Sequence, residues 1–164
     1  MDAVWGLIGT LIGALASIGT TWITARNAST QQIAIAERAR DEQNRTFQRE
    51  TLLELQTAVS DILRLVSRAN FQDLVAFRSG TTWGRNMLDD ALDAEMATTF
   101  RKISLLTARV VDDQLRQEIQ QAVESAAHVS AAVDEQSAMG QLSIAMDAGT
   151  ALMERIGVNL RQQY

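Results

Sequence analysis

The chain has neither cysteine nor proline among its 164 residues. Without cysteine there is no disulfide framework, no thiolate nucleophile and no thiolate metal site. Without proline, and with alanine, leucine, glutamine, glutamate and arginine abundant, nothing in the composition interrupts long helices. Lysine and histidine are nearly absent as well, Lys102 and His128 being the only ones. His128 has Glu124 one helical turn before it and no further ligand in local sequence, too few donors for a metal. It reads as a surface or seam-edge histidine. No phosphate loop, nucleophile elbow or Glu-x-x-His motif occurs, so the familiar sites of phosphoryl transfer, acyl transfer and di-iron chemistry are missing. The composition therefore points away from an enzyme, and no cofactor or metal is expected.

The net charge of −5 is unevenly spread. Residues 26–85 carry nine arginines against seven carboxylates, whereas residues 86–135 carry four basic side chains against ten acidic ones. An acidic distal body repels phosphate, so nucleic acid is not an expected partner. The carboxylates Asp89, Asp90 and Asp93 lack the glycine and terminal glutamate of a calcium loop. They read as a helix start, where they complement the helix dipole.

What is present begins with "GLIGTLIGALASIGTTW", residues 6–22. No charged side chain occurs from Ala3 to Ala25, and as a helix this run extends about 35 Å, enough for a bilayer core of ~30 Å. Trp5 and Trp22 lie near its ends, where indole rings favour membrane interfaces. A cleaved signal peptide fits less well, because the start is acidic at Asp2, the run is long and the Ala14-x-Ala16 site lies inside it. Arginines 26, 38, 40, 45 and 49 all follow the run, which places the body in the cytoplasm and the N-terminus outside the cytoplasmic membrane.

Within that run Gly6, Thr10, Gly13, Ser17, Thr20 and Thr24 recur at intervals of 4, 3, 4, 3 and 4 residues, one stripe on one helix face. Large residues Ile8, Leu11, Ile12, Leu15, Ile18 and Trp22 occupy the opposite side. Such a division suits close helix–helix contact, with Gly9-x-x-x-Gly13 a shifted instance of the small-xxx-small pattern. A single-pass helix has no partner in its own chain, so the stripe implies self-association or a membrane partner. Two other readings stand beside this: glycine is frequent in membrane helices generally, and Ser17, Thr20 and Thr24 would line a narrow polar path in an oligomer, as in a pore-forming or membrane-perturbing effector.

Residues 26–46 read as a charged helical stalk, with Glu37–Arg40 and Asp41–Arg45 at helical spacing, each pair worth a few tenths of a kcal/mol at about that scale. Basic residues there would also lie near anionic headgroups. After Phe47 a heptad seam begins, Leu52, Leu55, Val59, Ile62, Val66 and Ala69, continuing toward Phe71, Leu74 and Phe77 and predicting a helix over 47–78. Gly80 and Gly84 bracket a turn, and Asn86 is positioned to cap a second helix with the inner face Leu88, Leu92, Met96, Phe100, Ile103, Leu106 and Val110. Asp112 and Asp113 supply a turn and cap before Leu115, Ile119, Ala122, Ala126, Val129 and Val133. Ser137 is the expected cap of a last helix with the seam Met139, Leu142, Met146, Gly149, Met153, Ile156 and Leu160. The methionines at 139, 146 and 153 read as core packing rather than as an adaptable binding face.

Trp83 stands apart, in a glycine-flanked turn between Arg78 and Arg85. It either covers the bundle end or, with these arginines, contacts a protein partner, since Trp and Arg are enriched at interface hot spots.

The layout of "LIGALASIGTTW" followed by the arm "ERARDEQNRTFQRETLLELQTAV" resembles small single-pass, N-terminally anchored helical membrane proteins of actinobacteria and their phages. The resemblance covers residues 5–66 and implies an anchor and a helical arm, with no catalytic residues. The expected architecture is all-α: a transmembrane anchor over 1–25, a charged stalk over 26–46, and an antiparallel four-helix bundle over 47–164. The expected function is non-enzymatic: a membrane-anchored homo-oligomer, with the lipid bilayer as one partner, presenting its bundle to another protein.

Overall fold

The structure is a computed structural model that describes the backbone of residues 2–83 and 89–162 and the side chains of 31–83 and 89–162. Four helices follow in order: α1 (Asp2–Arg78), α2 (Asp90–Thr107), α3 (Asp113–Ser130) and α4 (Glu135–Gln162). No strand occurs among the described residues, and the protein is all-α. Among those residues no helix is long and apolar enough to cross a membrane. The uncharged run from Ala3 to Ala25 lies outside the described side chains.

The chain divides into two compact units, Met1–Asn44 and Arg45–Tyr164. In the first, every described side chain from Gln31 to Asn44 is exposed, including Ile33 and Ile35. Glu37 and Arg40 project into solvent, and among the described residues no ion pair joins them, because an exposed pair gains too little to hold two long side chains together.

The second unit is a helical bundle. On α1 the seam Leu52, Leu55, Val59, Ile62, Val66 and Ala69 is buried as its spacing requires, joined by Ala58 and Leu65. These residues merge into one core with Leu92, Met96, Ile103 and Leu106 of α2, Leu115, Ile119, Ala122, Ala126 and Val129 of α3, and Ala145, Leu152 and Ile156 of α4. Burying a side chain of this size is worth about 1.5–3 kcal/mol, so this shared core holds the four elements together.

Local chemistry sets the ends. Asp112 caps α3, its carboxylate accepting from the backbone N–H groups of Gln114 (2.9 Å) and Leu115 (3.1 Å). Asp89, not Asn86, caps α2, accepting from Ala91 N–H at 3.4 Å; Asn86 is outside the described residues. The last helix begins earlier than expected, at Glu135, because Asp134 accepts from Ser137 N–H at 2.7 Å and takes the capping role assigned to Ser137. A carboxylate at the helix start also gains from the dipole, which a hydroxyl does not. Gly80 closes α1 with φ 101°, in the left-handed region that glycine enters without penalty.

Three parts of the expected seams are displaced. Val133 falls after the end of α3 and is 83% exposed. Phe71 and Phe77, read as continuations of the α1 seam, are exposed, whereas Leu74 is half-buried. On α4 the buried line is Ala138, Ala145, Gly149, Leu152 and Ile156, and the methionine row moves to an edge, with Met139 and Met146 exposed and Met153 half-buried. Either row flanks the central line of 142, 149 and 156 at helical spacing. The small residues Ala138 and Ala145 let α4 settle closely against α3, and that turns the methionines outward.

Candidate functional site

Contacts at the two ends of the bundle fix its up-down-up-down course. At one end Gln48 of α1 donates its Nε2–H to Arg109 O (2.9 Å), and its Oε1 accepts from Val111 N–H (3.3 Å), tying α1 to the α2–α3 turn. At the same end Arg155 of α4 lies 3.6 Å from Glu118 and 4.0 Å from Asp112 of α3.

The opposite end holds the residues proposed as a partner contact. Trp83 donates its indole N–H to Ala132 O in the α3–α4 turn at 3.0 Å. Its ring meets Phe77 edge-on, centroids 5.7 Å apart at 76°. The exposed Arg78 lies 3.6 Å from the half-buried Glu135. Trp83 thus bridges the end of α1 to the turn before α4, and it also presents a half-buried ring surface at the end of the bundle. Arg85 lies outside the described residues, as do the side chains of Trp5, Trp22 and the stripe Gly6, Thr10, Gly13, Ser17, Thr20 and Thr24.

The sequence reading missed a groove of about 600 Å³ between α2 and α3. Its floor is apolar, formed by Phe100 and Ile103 of α2 and Ile119 and Val123 of α3, and its rim carries Ser104, Gln120 and Glu124. Arg116 closes one end, donating to Val110 O at 2.5 Å and pairing with Asp113. The hydroxyl of Thr107 is committed to Ile103 O at 2.8 Å. The volume falls within the range of small-molecule sites. The available signal was the run of small side chains at Ser104, Thr107 and Ala108, which keeps the end of α2 from filling the space beside α3.

A second hollow region follows α1 and α4. Two adjoining cavities of about 370 Å³ each share Ser60 and Met153. Leu63 and Ser67 of α1 line the first of them opposite Met146 and Gly149 of α4. Ser67 Oγ lies 3.8 Å from Met146 Sδ.

His128 is exposed on the last turn of α3, and no group of three potential metal ligands gathers among the described residues. Comparison with protein families, with curated proteins and with solved structures finds no match to this chain.

Proposed function

We propose that this chain is a non-enzymatic, membrane-anchored helical protein that self-associates through its N-terminal segment and offers its bundle to a protein partner on the cytoplasmic side. The observation that carries the proposal is the uncharged run from Ala3 to Ala25, with its stripe of small residues and a tryptophan near each end. The arginines that follow the run support the orientation with the N-terminus outside. The end of the bundle around Arg78, Trp83 and Arg85 is the proposed partner contact, and the exposed Arg78 and half-buried Trp83 are compatible with it.

Native mass of the detergent-solubilised chain tests this directly. Replacing Gly13 with isoleucine puts a branched side chain into the closest approach of the stripe and is expected to shift the oligomer to smaller species. An unchanged mass would refute association through the stripe. The hydroxyls of Ser17, Thr20 and Thr24 favour a second reading, a membrane-perturbing pore. In that case expression depolarises the host membrane and Thr20→Val with Thr24→Val abolishes the effect.

A further inference from the structure

The groove between α2 and α3 holds polar side chains that the fold leaves without partners. Three of the four hydroxyls on α2 return to their own helix: Thr98 donates to Ala94 O, Thr99 to Glu95 O and Thr107 to Ile103 O, each at 2.8 Å. The fourth, Ser104, lies on the groove's rim, and no hydrogen bond engages its hydroxyl among the described residues. Gln120 and Glu124, on the α3 side of the groove, are likewise without a side-chain partner among those residues.

We propose that this groove binds a small amphipathic cation, a molecule with an apolar body the size of an aromatic ring and one ammonium group. The body lies on the floor of the groove, the ammonium meets Glu124, and Ser104 and Gln120 supply the remaining polar contacts. This adds a ligand to the bundle and holds whether or not the N-terminal segment self-associates.

Charge sets the sign of the ligand. Two charged side chains line the groove, and Arg116 is already engaged: its guanidinium donates to Val110 O and pairs with Asp113, so its charge is compensated inside the fold. Glu124 is exposed and has no ion-pair partner among the described residues. It stands two turns beyond Arg116, roughly 12 Å further along α3. On α2 the cations Arg101 and Lys102 are outside the lining, whereas Asp93 lies two turns before Phe100 on the same side of the helix. Because α2 and α3 run antiparallel, Asp93 and Glu124 belong to the same end of the groove, away from the α2–α3 turn. That end attracts a cation. An anion would have to displace Asp113 from Arg116 or approach these carboxylates.

Shape sets the rest. Ile103 and Ile119 are each 1% exposed at the bottom, with Phe100 and Val123 half-buried above them, so an apolar body is needed to dry the floor. A bare metal ion finds one carboxylate in the lining, far short of the six to eight oxygens of a calcium site.

The probes are 4-phenylbutylamine, its neutral analogue 4-phenylbutanol and the anion 4-phenylbutyrate, titrated into the full-length chain in a non-ionic detergent. Binding to the folded form raises the thermal midpoint read by helical circular dichroism, and uptake of probe by the micelles is common to every variant. The amine is expected to bind about two- to fivefold more tightly than the alcohol, the gain of one solvent-exposed ion pair, and the anion more weakly than either. Glu124→Lys should invert that order, while Glu154→Lys, the same charge change at an exposed position of α4, should retain it. Ser104→Trp, at an exposed position, fills the groove with an indole and should abolish the response to all three probes. An unchanged order in Glu124→Lys, or a full response to the amine in Ser104→Trp, overturns the assignment to this groove. Equal binding of amine and alcohol by the wild-type chain, or no shift with any probe, overturns the proposal as a whole.

Discussion

Replacing Gly149 with alanine tests the approach of α1 to α4 at its closest point. A Cβ built on Gly149 overlaps Leu63 Cδ1 and stands 3.1 Å from its Cδ2 and 3.2 Å from its Cγ, so the whole end of the leucine must move. Gly140, on the same helix, has nothing within 4 Å of such a Cβ. Alanine in place of glycine inside a helix gains about 1 kcal/mol of propensity, and at Gly140 that gain is expected undiminished. At Gly149 it is set against about 1–3 kcal/mol of overpacking, so the net effect is a loss of roughly 0–2 kcal/mol. Leu63→Ala removes the obstacle, and in that background Gly149→Ala should stabilise as it does at Gly140. The assay is thermal unfolding of the full chain in mild detergent, followed by helical circular dichroism, as a double-mutant cycle. For a bundle of this size 1 kcal/mol is about 3–5 °C in midpoint. Gly149→Ala raising the midpoint as much as Gly140→Ala, with Leu63 intact, would refute the packing argument.

Other substitutions read different contacts by the same assay. Leu55→Ala empties a fully buried position in the α1 seam and is expected to destabilise by about 2–5 kcal/mol. Asp112→Ala removes two bonds to the start of α3 and should cost about 0.5–2 kcal/mol; Asp112→Asn keeps the cap and should cost only the ion pair to Arg155, ~0–1 kcal/mol. Trp83→Phe retains an aromatic ring toward Phe77 but deletes the donor to Ala132 O, with an expected loss of about 0.5–1.5 kcal/mol. Wild-type stability in Leu55→Ala, Asp112→Ala or Trp83→Phe would refute the corresponding contact.

The seams of α1, α2 and α3 were legible because leucine, isoleucine and valine at heptad spacing leave one face to bury, and Leu52 to Ala69, Leu92, Met96, Ile103, Leu106 and Val110, and Leu115 to Val129 of those seams are buried; Leu88 lies outside the described residues. The cap at Asp112 was legible for the same local reason: a carboxylate beside free helix N–H groups needs no tertiary context. Position 134 was not, since Asp134 and Ser137 both have capping side chains and the choice turns on which geometry forms. The α4 face was misread because two rows, 138–145–152 and 139–146–153, flank the same line. Side-chain size favours the methionines, and close packing against α3 favours the alanines. Phe71 was drawn into the α1 seam by its hydrophobicity alone, although its position lies about 180° from Ile62 around a helix with 3.6 residues per turn. The α2–α3 groove depends on how far two helices diverge, which no single-helix period encodes.

The close packing of α3 on α4, across a turn of only residues 131–134, also bears on how the bundle comes together in time. Contacts between elements adjacent in sequence require little loop closure, so this hairpin is the part of the bundle that assembles at least entropic expense. Docking α1 onto it closes a longer loop and comes later. Trimming Ala126 or Ala145, both wholly buried, to glycine should therefore slow refolding, whereas trimming Ile62 to valine should mainly hasten unfolding. The order of events in folding would then run from the C-terminal hairpin back toward α1.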